Sequence, residues 1–181
     1  MKLWDKGIKI DEKIEQFTVG NDREVDMYIA KYDLKASLAH AKMLFSIGII
    51  SSIELQQLEK GLSILEKQIN EGSFVIETQF EDVHSKIEFE LTKMFGEVGK
   101  KIHTARSRND QVLVALQLYY KDQLLTIKGL VSTFFDTLLT LAEIHKKCLL
   151  PGYTHLQVAM PSSFGLWFSS YAEVIVDDVY L

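Results

Sequence analysis

Proline is scarce in this sequence and confined to one short stretch. Only 2 of the 181 residues are prolines, Pro151 and Pro161, where average usage of about 5% would give roughly nine. Because a proline in a helix interior removes a hydrogen bond and breaks the helix, nothing before Pro151 forbids long uninterrupted helices. The sequence therefore predicts a helical chain with one interruption, located between the two prolines.

Composition and charge exclude several classes of protein. Hydrophobic residues make up 47% of the chain and charged residues 25%, which is typical of a globular protein with a sizeable core and excludes a disordered or collagen-like chain. The 25 acidic residues exceed the 20 lysines and arginines, which gives a net charge of −5. We therefore expect no nucleic-acid partner, since no basic face is available to contact phosphates.

The cysteine count and the hydropathy pattern bear on the cellular compartment. The single cysteine, Cys148, cannot form an internal disulfide, which favours a reducing compartment. The sequence contains no signal-peptide core and no run of about 18 consecutive apolar residues. We expect a cytoplasmic protein with no membrane span.

Apolar periodicity and capping residues predict where the helices lie. Ser51 and Glu54 have the spacing of a capping box at a helix start, and Asp82 precedes an apolar period as an N-cap does. The predicted helices cover residues 22–47, 51–72, 82–96, 110–147 and 162 onward.

The longest predicted helix, residues 110–147, carries two parallel apolar rows. At 1.5 Å per residue it would extend for about 55 Å, which is more than one small domain can cover. Its apolar rows need other long helices, from the same chain or from further copies. The fold class is therefore predicted to be all-α, with an N-terminal helical domain over residues 1–108 and the beginning of a long-helix bundle domain over residues 109–181.

Two polar segments flank this long helix, and both are dense in hydrogen-bonding side chains. The first island, residues 103–110, reads HTARSRND, and the second island, residues 153–157, reads YTHLQ. Arginine suits planar carboxylates because its guanidinium donates to both oxygens, and histidine moves a proton near neutral pH. Since the islands lie at opposite ends of the helix, we expect active sites that are shared between copies of the chain.

Each of these residues also has a simpler interpretation. Arg106 and Arg108 could be solvated residues at a helix start, although cations there oppose the helix dipole, which favours a bound anion. His155 could be an ordinary loop histidine. His84 and Glu88 share a helix face at metal-ligand spacing, but without a third ligand the pair predicts no metal site.

Three motifs identify a resemblance to a known family. The stretch from His103 to Val112 reads HTARSRNDQV and resembles the first signature of argininosuccinate lyase. The stretch from Pro151 to Gln157 resembles its second signature, and Glu81 to His84 is similar to a third family feature. The resemblance implies an all-α homotetramer of the fumarase/aspartase-like fold, in which three subunits build each active site.

The resemblance also implies an activity and its residues. The reaction is the reversible anti elimination of argininosuccinate to arginine and fumarate, within arginine biosynthesis, without a metal or organic cofactor. His155 corresponds to the family's histidine at the proton-transfer centre, and Asn109 and Thr154 to substrate-binding positions. The remaining substrate-binding candidates are Ser107, Arg108, His84, Asp22, Thr18 and Gln157.

The sequence departs from the family pattern in several respects. Ala105 stands where glycine is common. The family's last signature, a mobile loop that carries the catalytic serine, has no counterpart, and the helical pattern is still running at Leu181. We therefore expect this chain to be the N-terminal portion of a longer enzyme and to be inactive by itself.

Three other functions are compatible with the same pattern. The first is another fumarate-releasing lyase of the superfamily, such as an adenylosuccinate lyase. The second is a non-catalytic structural homologue, since the same fold serves as a lens crystallin. The third is a helical assembly module in which only the long helix matters. Substrate assays and the replacement of His155 separate them.

Overall fold

The computed structural model describes residues 11–180, and the regular secondary structure in that range is helical apart from one β-hairpin. A single 3₁₀ turn, Lys101–His103, follows the fifth helix. The helices are α1 (Glu12–Val19), α2 (Asp22–Ser46), α3 (Ser52–Asn70), α4 (Val83–Phe95), α5 (Glu97–Lys100), α6 (Arg108–His145) and α7 (Phe164–Tyr180), and the strands are β1 (Leu149–Thr154) and β2 (Gln157–Ser163).

The all-α prediction is confirmed, and each of the five predicted helices is present within a few residues of its expected ends. The short helices α1 and α5 were not predicted. The stretch between the two prolines, expected only as a break in the helical pattern, forms an antiparallel hairpin. Leu181 lies outside the described residues.

The chain divides into two compact units, Met1–Tyr120 and Lys121–Leu181. The predicted domain boundary after residue 108 stays a prediction. In unit 1, α2, α3 and α4 pack against one another around an apolar core. The largest fully buried apolar side chains of that core are Phe80, Leu44, Leu58, Leu65, Ile87, Leu91 and Ile102.

Local sequence signals explain why these helices begin where they do. Glu54 accepts a hydrogen bond from the Ser51 backbone N–H at 2.7 Å, and the Ser51 hydroxyl accepts one from the Glu54 backbone N–H at 3.3 Å. This reciprocal capping box satisfies two helix-end donors at the start of α3. Asp82 caps α4, since its carboxylate accepts the Ser85 backbone N–H at 2.7 Å.

In unit 2, the start of α7 lies close to the end of α6. Gly165 permits this approach, because a Cβ at that position would lie 2.6 Å from the Lys146 Cα and 2.7 Å from the Ala142 carbonyl oxygen. Ala142 and Ala172 are buried nearby on the two helices. Small residues therefore set the distance between α6 and α7.

The apolar rows of α6 are largely uncovered within the described chain. Leu124 and Leu130 are 63% and 66% exposed. An 18-residue window of α6 has a mean hydropathy of 1.4, so by length and composition alone this helix could cross a membrane. One such helix is weak evidence, because helices at the centre of soluble bundles pass the same test. The expectation of no membrane span stays a prediction.

Candidate active site

The first island begins α6 with a capping arrangement. The Asp110 carboxylate accepts hydrogen bonds from the Ser107 backbone N–H at 2.6 Å and from the Ser107 hydroxyl at 2.9 Å. These two bonds lower the pKa of Asp110. Because Ser107 and Asp110 bind each other, the backbone at the exposed Asn109 between them is held in a fixed helical turn.

The loop before this turn is fastened to α2. His40 Nε2 lies 2.8 Å from the Thr104 carbonyl oxygen, and burial lowers the pKa of His40. Arg106 donates to the Ser37 hydroxyl at 2.9 Å and to the Ile102 carbonyl at 3.1 Å. Burial lowers the pKa of Arg106. The side chain of Arg106 is therefore engaged inside the protein, which favours a loop-holding role over the anion-binding interpretation.

Ala105 has a positive φ of 58° in this same loop. A left-handed backbone costs a residue with a Cβ about 1–2 kcal/mol, whereas glycine adopts it freely. This conformation explains physically why glycine is favoured at that position.

Arg108 ties the start of α6 to the start of α4. Its Nε lies 3.3 Å from Asp82 Oδ2, and its Nη2 donates to the Ser85 hydroxyl at 3.1 Å. The third nitrogen, Nη1, is buried and has no hydrogen-bond partner among residues 11–180. Two of the three guanidinium nitrogens are thus engaged by residues of α4 and its N-cap.

His84 is placed deeper than a pocket-lining residue in unit 1. It is 1% exposed, and its Nδ1 lies 3.2 Å from Oδ1 of Asp33, which is fully buried on α2. Its helix neighbours Asp82 and Ser85 are the two residues that hold Arg108. His84 is therefore buried in the core of unit 1, next to the residues that contact the first island.

The N-terminal candidates lie on the first two helices. Thr18 is exposed on α1, where its hydroxyl donates to the Ile14 carbonyl at 2.9 Å. Asp22 is the exposed first residue of α2. One turn later, Asp26 accepts the Val83 backbone N–H at 3.0 Å, and burial raises the pKa of Asp26. The start of α2 is thereby joined to the start of α4.

The second island forms the tip of the hairpin. Thr154 and Gln157 pair across the strands and leave His155 and Leu156 as a two-residue loop. Both loop residues have positive φ, 47° and 62° respectively, as the two central residues of a type I′ turn require. Such a conformation costs a non-glycine residue on the order of 1–3 kcal/mol. Thr154, His155 and Gln157 are all exposed.

The strands next to this tip contain the two prolines and Gly152, which interrupt the helical pattern of the sequence. Pro151 and Pro161 are paired across the hairpin, and the register shifts between Gly152 and Tyr153. A Cβ on Gly152 would lie 3.0 Å from the Met160 Cγ and 3.1 Å from its carbonyl oxygen. Glycine therefore permits the close approach of the strands beneath His155.

The structure brings together two sets of predicted site residues, one in each unit. Ser107, Arg108 and Asn109 share the first turn of α6, with His84 behind them, and the hairpin tip gathers the second island. Asp33 was missed, although an acid within an otherwise apolar helix face was a visible signal. No group of three metal-type ligands occurs in the described part of the chain. The individual substrate-binding and catalytic roles stay predictions.

Comparison with known proteins gives one consistent family. Residues 6–180 match a family described as lyase. The chain is 51% identical to the argininosuccinate lyase of Bacteroides thetaiotaomicron over 98% of this chain and 40% of that protein. It is 52% identical to the argininosuccinate lyase of Parabacteroides distasonis over 99% of this chain and 40% of that protein.

A solved structure supports the fold. The fumarate lyase from Mesorhizobium superposes with a TM-score of 0.70 at 19% identity, over 96% of this chain and 40% of that one. The chain thus spans about 40% of the length of the curated relatives it matches. Because the family match extends over nearly the whole chain, the chain belongs to the lyase family.

Proposed function

We propose that this chain is part of an argininosuccinate lyase, which converts argininosuccinate reversibly to arginine and fumarate. The observation that carries the proposal is the 51% identity to a protein of that name along 98% of this chain, a span that includes both islands. The geometry is compatible with it, since the hairpin tip presents Thr154 and His155 together in a constrained turn.

The proposed reaction is an elimination that needs proton transfer and stabilisation of negative charge. A base removes a proton from the carbon next to a carboxylate, and negative charge spreads into that carboxylate. The bond from the adjacent carbon to the guanidino nitrogen breaks, the nitrogen leaves with a proton, and the carbon–carbon double bond of fumarate forms. Fixed donors around the carboxylate lower the barrier, and holding both ends of the substrate adds an orientational gain.

The roles proposed for this chain's residues follow from where they lie. His155 stands at the proton-transfer centre, and Thr154 and Gln157 flank it on the hairpin. Asn109 and Arg108 bind substrate oxygens from the first turn of α6, whose backbone is fixed by Ser107. Asp22 and Thr18 contribute from the N-terminal side.

We further propose that the protein works as a homotetramer in the cytoplasm. The uncovered apolar rows of α6 support association, because Leu124 and Leu130 are more than half exposed. Association of this kind buries apolar surface, and this burial is the main driving force for the formation of long-helix bundles. Shared active sites follow from the islands' places at the two ends of one helix.

The chain by itself is proposed to be inactive, since it spans 40% of its relatives' length and carries no serine-loop signature. The test follows fumarate absorbance with the full reading frame in which this chain occurs, and in parallel with residues 1–181 alone. We expect release from argininosuccinate but not from adenylosuccinate, and none from the chain alone. Faster release from adenylosuccinate would overturn the assignment, and fumarate release by residues 1–181 alone would overturn the proposed inactivity.

A further inference from the structure

One carboxylate of unit 1 is buried within the apolar face of a helix. Asp33 is 0% exposed on α2, one turn before the equally buried Ser37 and next to the buried Leu34. Taking a carboxylate out of water is expensive unless it is paired and hydrogen-bonded. An apolar or amide residue at this position would avoid the free-energy cost of burying a charge. The neighbours of Asp33 therefore indicate a function for the acid.

The group that faces this carboxylate is the imidazole of His84. Asp33 Oδ1 and His84 Nδ1 are 3.2 Å apart, and the histidine is 1% exposed. This is an ion-pair distance without the alignment of a hydrogen bond, and none of the four polar side-chain atoms of the pair has a hydrogen-bond partner among the described residues. Nε2 is therefore the ring nitrogen that remains for a group beyond the pair.

The surrounding charges come from three elements. Arg106, in the loop before α6, lies within electrostatic reach of Asp33 and of Glu88 on α4. Asp26 on α2 lies within electrostatic reach of His84. The positive charge of Arg106 lowers the free-energy cost of a buried negative charge at Asp33. A charged Asp33 would attract a proton on the imidazole nitrogen that lies 3.2 Å away.

The pair is coupled to the first island through the first turn of α4. His84 stands between Asp82 and Ser85, and these two residues hold Arg108. His84 therefore shares its helical turn with both partners of Arg108. Asp33 lies beside His84 and within electrostatic reach of Arg106, so both residues couple it to the island.

We propose that Asp33 is a positioning residue that fixes the tautomer and the ring orientation of His84. Its negative charge, 3.2 Å from Nδ1, favours the proton on that nitrogen, so that Nε2 carries no proton and serves as an acceptor. The structural part rests on the Asp33–His84 geometry alone. The catalytic consequence rests on the proposed function, in which Arg108, held by Asp82 and Ser85 on either side of His84, binds the substrate.

The structural part is tested by nitrogen-15 NMR of the imidazole rings in the 181-residue chain. The chain has 5 histidines, and the signals missing in a His84→Gln variant identify His84. At about pH 8, where a free imidazole is neutral, we expect a protonated Nδ1 and a bare Nε2. In Asp33→Asn we expect the proton to move toward Nε2. A bare Nδ1 in the wild type, or an unchanged tautomer in the variant, overturns the proposal.

The catalytic part is tested by steady-state kinetics on the full reading frame. Asp33→Asn is expected to lower kcat by about 10- to 100-fold, the range that applies when a metal-bound histidine loses its orienting partner, with KM changed by less than about twofold. The matched control is Ile87→Val, which removes one buried methyl group from α4, the helix that carries His84, and leaves both residues of the pair in place. A kcat within about twofold of that control overturns the positioning role. A wild type that releases no fumarate contradicts the proposed function, while the NMR result still decides the role of Asp33.

Discussion

Arg108 Nε lies 3.3 Å from Asp82 Oδ2, and this contact joins the first turn of α6 to the N-cap of α4. The same Asp82 carboxylate accepts the Ser85 backbone N–H at 2.7 Å. One acid therefore both starts a helix and holds the arginine next to Asn109. Substitutions of Asp82 separate its contribution as the N-cap of α4 from its contribution as the partner of Arg108.

Asp82→Ala removes the cap and the arginine's partner, whereas Asp82→Ser keeps a capping oxygen. We expect the alanine variant to lose about 1–2 kcal/mol of unfolding free energy, since loss of an N-cap alone costs about 1 kcal/mol. The serine variant should lose less. Urea denaturation followed by circular dichroism measures both, and an alanine variant as stable as the wild type would show that the contact contributes nothing.

Glu54 predicts an acid-dependent loss of stability. The hydrogen bond from Lys101, together with the Ser51 backbone N–H, lowers the pKa of Glu54 from 4.5 to about 2. Because the folded pKa is below the unfolded one, the contribution of Glu54 is fully present above pH 4.5 and is lost as the pH falls through about 2. Glu54→Gln removes this dependence.

The measurement compares the unfolding free energy of the wild type and of Glu54→Gln over the range from neutral to strongly acidic pH. The wild type should be the more stable protein near neutral pH, and the difference should shrink as the pH falls below the unfolded value. A difference that does not change with pH would mean that Glu54 is not paired in solution.

Ala105→Gly is expected to stabilise the protein. The positive φ of Ala105 costs about 1–2 kcal/mol, and glycine loses part of that gain through about 0.5–1 kcal/mol of extra chain entropy. The net gain is about 0.5–1 kcal/mol, measured as a higher melting temperature. Ala39→Gly, at an exposed position inside α2, is the matched control and should cost about 1 kcal/mol. Equal destabilisation by both substitutions would contradict the left-handed geometry.

The exposed rows of α6 predict self-association that charge can prevent. Leu124 and Ile127 are 63% and 52% exposed and belong to one apolar row. The wild-type chain should sediment as larger species with rising concentration, and Leu124→Lys with Ile127→Lys should sediment as a monomer. Thr126→Lys, outside that row, is the control and should behave as the wild type. A wild type that stays monomeric at every concentration argues against the bundle.

Much of this fold could be predicted from local sequence signals. The starts of α3 and α4 follow from Ser51 and Asp82, which bond to backbone within their own first turns. The hairpin could not be predicted, because type I′ turns normally carry asparagine and glycine and here carry His155 and Leu156. Neither His155 nor Leu156 is one of the residue types, glycine and asparagine, that most strongly indicate a left-handed backbone.

The parts of the candidate site that are continuous in sequence could be predicted. The parts that depend on contacts between distant residues could not. Both islands are continuous in sequence, so their hydrogen-bonding residues could be named. The Asp33–His84 pair spans two helices, and no spacing rule connects positions so far apart. Likewise, Arg106 could be read as an anion ligand until Ser37 was found to accept its hydrogen bond.

The proposed role of His155 in proton transfer can be tested by a single comparison of turnover rates. In the full reading frame, fumarate release from argininosuccinate is compared between the wild type and His155→Asn, with Leu156→Gly as a control that keeps the turn and its positive φ. We predict a fall in kcat of about 10²–10⁴-fold for His155→Asn, the usual contribution of a positioned proton-transfer group, and near-wild-type activity for Leu156→Gly. Unchanged turnover in His155→Asn would contradict the account.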